Sequence, residues 1–138
     1  MNIFVTDYNP AFSAVWLDDK RQNKMIVETA QMLCTAVRII TDNDPNVCEG
    51  LYRKTHANHG CNIWARSSRQ NYEWLVLHGL HMVMDYMTRS SKIHKSAAVI
   101  RQCLIHMNLF PDDELLPFTN HARSLKHGID FTHLEDPP

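Results

Sequence analysis

Between Asp19 and Ile40 the apolar residues Met25, Ile26, Val27, Ala30, Leu33 and Cys34 recur at intervals suited to one side of a helix. Asp18 or Asp19 supplies an N-cap for this run, which makes a long helix the organising element of the chain. The same spacing places Lys20, Lys24, Glu28 and Gln31 on a shared face. One carboxylate ringed by cations and an amide has the composition of a site for an anionic substrate. Glu28 would be its general acid or base, and Lys20, Arg21 and Lys24 its phosphate holders. These residues equally fit a solvated face laced with i,i+4 Lys–Glu pairs, which contribute little.

Upstream of this helix, residues 2–6 (NIFVT) form a short β-prone run. Asn9 and Pro10 then read as the N-cap and first position of a short helix ending near Leu17. Thr41 to Pro45 is a loop by its turn chemistry. A second long helix is predicted from about Cys61 to Thr88, on the spacing of Trp64, Leu75, Leu77, Leu80, Val83, Met84 and Met87. A third is predicted from His94 to Asn108, burying Ala98, Val99, Cys103, Leu104 and Met107. Phe110 to Glu114 restarts a short turn or helix, and the polar, His-rich tail from about residue 118 is expected to be poorly ordered. These elements add up to one all-α domain, a compact bundle of three main helices with a short extended N-terminal segment.

A length of 138 residues suffices for a single core, and no apolar run approaches a membrane span, so no membrane partner is expected. The formal net charge of −1 argues against DNA binding by bulk charge and leaves room for a local basic face. The four cysteines form no CxxC pair and follow no signal peptide, which predicts reduced thiols in a cytosolic protein.

Three further clusters bear on chemistry. Ser67, Ser68, Asn71, Tyr72 and Trp74 interrupt the apolar pattern of the second helix with polar and aromatic groups. Asn71 and the aromatics either hold and stack a base, or make a structural contact to Glu28 or Gln31 of the first long helix. His56, His59 and Cys61 make an HxxHxC group whose spacing matches no usual closed zinc site, so no metal or other cofactor is assigned. The two histidines then cap the second helix or face a substrate. Arg89, Lys92, His94 and Lys95 form a basic turn suited to phosphate contact, or a solvated loop. No Gly-rich phosphate loop, GxSxG elbow or catalytic-cysteine signature is present.

Four patterns, MNIFVxDxxP, DKxxxKMxxExxQxL, HxNHxxxxWxxxSxxNYxWL and RxxKxHK, span most of residues 1–95. Together they resemble small phage and bacterial proteins similar to the phage pyrimidine dimer DNA glycosylases. The resemblance implies a compact all-α domain in the cytoplasm of a bacterial or phage-infected cell, with DNA or a nucleotide as partner. It also implies base removal by an N-terminal α-amine that attacks deoxyribose C1′, followed by strand nicking through an imine. Glu28 matches the catalytic glutamate of that family, and Met1 or Asn2 would carry the amine. Lys20, Arg21, Lys24, Gln31, His56, His59, Asn71, Tyr72, Arg89, Lys92, His94 and Lys95 are the implied substrate contacts. Two positions depart from the pattern: Asn2 replaces a small residue and Arg21 replaces a histidine. A non-cleaving binding module of the same fold, holding a nucleotide, a modified base or a partner protein, is the alternative reading.

Overall fold

A computed structural model describes residue 3, residues 9–11, residues 19–111 and residues 114–115, except for the side chains of residues 19–21. The chain is all-α: no strand occurs among the described residues, and three main helices pack together. In chain order the helices are α1 (Asp19–Ile40), α2 (Pro45–Cys48), α3 (Gly60–Ala65), α4 (Arg69–Ser90) and α5 (Ala97–Ile105), followed by a 3₁₀ turn, Met107–Leu109. The expected β-prone run (Ile3 apart), the body of the short helix toward Leu17 and the tail from about residue 118 lie outside the described residues. Asn9 does accept a hydrogen bond from the Ala11 backbone at 2.9 Å, the expected capping contact.

Six consecutive α1 residues, Met32 to Val37, are buried. At about 100° per residue, six positions cover more than a full turn, so this half of α1 is enclosed on every side. The helix α4 packs along it, α5 touches both, and α3 lies against α1. The three helices pack tightly at Gly79, where an added Cβ would sit 2.9 Å from Thr29 Cγ2 on α1 and 3.3 Å from Ile100 Cδ1 on α5. Tyr72 fills the other end of the core: it is fully buried, stacks on Phe110 at 4.1 Å, and its hydroxyl donates to the Cys103 carbonyl.

The structure corrects two expectations. The single helix predicted over Cys61–Thr88 is two helices, α3 and α4. Ser68 caps α4 by accepting the Asn71 backbone N–H at 3.0 Å, while the Asn71 side chain donates to the Trp64 carbonyl near the end of α3 at 2.8 Å. Two exposed polar ends are thereby satisfied at one break. The third helix is shorter than predicted and differently phased. Ala97, Ile100 and Cys103 face inward, whereas Ala98 and Leu104 are exposed. All four cysteines are buried free thiols, and no helix among the described residues is long and apolar enough to cross a membrane.

Candidate functional site

Glu28 lies one turn along α1 from Lys24 and one turn before Gln31. Exposure falls along this face: Lys24 is exposed, Glu28 and Gln31 are half-buried, and Thr35 is fully buried. The Glu28 Oε2 atom is shielded from solvent, and contacts within the fold hold the residue.

The segment between α2 and α3 packs over the C-terminal half of α1. Arg38 donates from Nε to the Tyr52 carbonyl at 2.6 Å and from Nη2 to the Leu51 carbonyl at 2.8 Å. Thr35 Oγ1 receives the Thr55 N–H at 3.1 Å and donates to the Thr55 carbonyl at 3.3 Å. The buried Asn62 Nδ2 donates to the carbonyls of Thr55 and His56, and Arg66 donates to the Ala57 carbonyl at 2.8 Å. As the segment advances from residue 51 to 55, its partner on α1 moves back from Arg38 to Thr35. The segment therefore runs antiparallel to α1 as a strap, pinned by its carbonyls, with the side chains of Arg53, Lys54, His56 and Asn58 exposed.

Continued to the start of α3, the same direction brings Cys61 within the field of Glu28. Burial pushes the Cys61 thiol up to about 11, the Ile3 backbone hydrogen bond opposes that rise, and the Glu28 carboxylate adds to it. At neutral pH Cys61 is a thiol, which removes it as a nucleophile. His59 caps α3 by accepting the Cys61 N–H on Nδ1 at 3.1 Å, and His56 is exposed beside it with φ +48°. Buried Ile3 ties the N-terminal end of the chain to this place. Glu28, His59, Cys61 and Ile3 thus gather where the strap meets α3.

Several residues expected to meet a substrate are committed to the fold instead. Tyr72 has no free surface and belongs to the core. Asn71 links α3 to α4, as described above. Trp64, Trp74 and His78 pack against one another, edge-on at 6.1 Å and stacked at 4.9 Å, with almost no exposure. Trp74 still shows an edge to an open groove of about 470 Å³, shared with Pro10, Gln70, Glu73, Leu77 and Leu115. Arg89 pairs with Asp85 at 3.2 Å and donates to Gln22, which in turn donates to Asp85 at 2.9 Å. This triangle ties α1 to α4 and engages the Arg89 guanidinium through Nε and Nη2.

His94 is also engaged. Its Nδ1 accepts the Ser96 N–H at 3.0 Å, so Nε2 carries the proton and donates to Asn23 Oδ1 at 2.7 Å. Burial and neighbouring Lys95 hold its pKa below the usual histidine range, and the neutral ring is no phosphate holder. Lys92 and Lys95 are exposed. Met1, Asn2 and the side chains of Lys20 and Arg21 lie outside the described residues. Among the described residues no group of three His, Cys, Asp or Glu side chains is arranged to hold a metal.

The strap anchors Thr35, Arg38, Asn62 and Arg66 carry no local signature, since their partners are 6 to 20 residues away. Comparison with family models, with curated proteins and with solved structures gave no match.

Proposed function

We propose that the protein is a DNA glycosylase-like enzyme acting on a damaged or modified pyrimidine, with Glu28 as its catalytic carboxylate. The observation that carries this reading is the convergence of a shielded Glu28 with Cys61 and Ile3. A carboxylate in a partly dehydrated site interacts more strongly with positive charge than one in water. Such charge develops on deoxyribose when the bond from C1′ to the base breaks. Glu28 would stabilise that charge and move protons as the sugar ring opens.

The nucleophile would be an α-amine. An α-amine on Met1 or Asn2, with an intrinsic pKa near ~8, keeps a useful neutral fraction at physiological pH. Its nitrogen bonds to C1′, the base leaves with the electron pair of the broken bond, and ring opening yields an imine. Loss of a proton from C2′ then expels the 3′ phosphate and nicks the strand.

Duplexes carrying a cyclobutane pyrimidine dimer or an abasic site test this reading. Nicking by the native chain, lost in Glu28→Gln at unchanged stability, is the expected result. Saturable binding without any strand break would instead assign the pocket to a non-cleaving module of the same fold.

A further inference from the structure

Net charge conceals how charge is distributed along the chain. Residues 19–111 contain twelve Lys and Arg against seven Asp and Glu, a net of +5. Residues 112–138 contain two against six, a net of −4. The helical body is therefore basic, although the whole chain is slightly acidic.

Within that body, hydrogen bonds bring three basic segments together. The Tyr52 hydroxyl meets Ser96 Oγ at 2.9 Å, which places the strap beside the turn before α5. The His94 bond to Asn23 places the same turn beside the start of α1, next to Lys24. Tyr86 packs edge-on against His94 at 5.1 Å and closes the clip from α4. Lys24, Arg53, Lys54, Lys92 and Lys95 are all exposed on these three segments, and none makes an ion pair among the described residues.

We infer that these five cations form one surface for the phosphodiester backbone of a nucleic acid duplex, with Arg53 and Lys54 of the strap as contacts additional to those on α1 and the turn. Three features favour this occupant. The cations make no ion pair with a carboxylate among the described residues, so phosphate need displace none of those. The strap backbone that carries Arg53 and Lys54 is pinned by partly buried hydrogen bonds, which lowers the ordering cost of binding. The strap also leads from Arg53 and Lys54 to α3, whose Cys61 lies in the field of Glu28, so a backbone held there would run toward the proposed reacting centre. The last point rests on the glycosylase reading; the surface itself does not.

The test is the salt dependence of binding to an undamaged, fluorescently labelled duplex, measured with the full chain by anisotropy. Each lost phosphate contact lowers the slope of log affinity against log salt by about 0.9. Arg53→Ala/Lys54→Ala should therefore reduce the slope by about 2 and weaken binding at low salt, with an unchanged melting temperature. The exchange Arg53→Lys/Lys54→Arg should restore the native slope. Native binding with an unaltered slope in the double alanine variant would overturn the assignment. So would binding to phosphatidylglycerol vesicles with none to the duplex, or no duplex binding at all. Duplex binding of the expected slope without base removal or nicking would uphold the surface and overturn the glycosylase reading.

Discussion

At Gly79 the helix α4 lies tightly against Thr29 of α1 and Ile100 of α5, and Gly79→Ala tests that packing quantitatively. On an isolated helix the change would stabilise by about 1 kcal/mol, because alanine has the better helix propensity. Here the new methyl would lie 2.9 Å from Thr29 Cγ2 and 3.3 and 3.5 Å from two Ile100 carbons. Carbon atoms prefer about 3.5 to 4.0 Å, so Thr29 must retreat by about 0.6 Å or more into a filled core. Thr29 is β-branched and only 2% exposed, and cannot swing aside as a long side chain would. Overpacking of this kind costs roughly 1–3 kcal/mol, which outweighs the propensity gain. Urea unfolding should show a net loss of about 1–2 kcal/mol, and thermal melting a drop of several degrees. Thr29→Ser removes the methyl that is struck, so the double variant Thr29→Ser/Gly79→Ala should regain much of the loss. A Gly79→Ala protein more stable than the native one would refute the packing argument.

Burial lowers the His78 pKa to about 4, and its ring donates from Nδ1 to the Pro10 carbonyl at 3.2 Å. The unfolded chain, with an ordinary histidine pKa near ~6.5, binds the extra proton first, so stability is complete above about pH 6.5 and falls as pH drops toward 4. The loss from this group is on the order of 3 kcal/mol. His94 adds a loss of the same sign, and His78→Phe should remove only the larger part of the pH dependence in denaturant titrations. Tyr72→Phe leaves the buried Cys103 carbonyl without its hydroxyl donor and should cost about 1–2 kcal/mol at constant core volume, measured by urea unfolding. Arg38→Met keeps the stem and removes the donors to Leu51 and Tyr52. Amide hydrogen exchange over residues 51–57 should then accelerate by about tenfold or more, while the core amides of α4 stay protected.

The parts of this fold that were legible in the sequence are those governed by local period and capping. The helix α1 was readable from Asp19 through its end at Ile40, because its apolar spacing and the turn residues after it agree; residues 12–18 before it lie outside the described residues. The break between α3 and α4 was hidden because Trp64 and Leu75 are eleven residues apart, three helical turns, and stay in phase across it. Ser68 and Asn71 were visible as a polar pair, but a spacing of three serves an N-cap as well as a shared helix face. The phase of α5 was ambiguous because Ala97, Ala98, Val99 and Ile100 are all apolar, so period alone does not choose the buried side. Glu28 stood out as a carboxylate among cations. The strap over the C-terminal half of α1 did not, since its anchors act through carbonyls, which any residue supplies. The clip from His94 to Asn23 joins residues 71 apart, and Tyr52 to Ser96 joins residues 44 apart, separations at which no local pattern exists.

Borohydride trapping on a duplex bearing an abasic site tests the central claim most directly, because it records the imine itself. The native chain should form a covalent adduct whose mass and peptide map place the bond on the α-amine of its first residue. Glu28→Gln should reduce or abolish the adduct without lowering the melting temperature. A native protein that binds the duplex yet yields no adduct would contradict the proposed amine chemistry. An adduct that survives Glu28→Gln undiminished would remove Glu28 from the reaction.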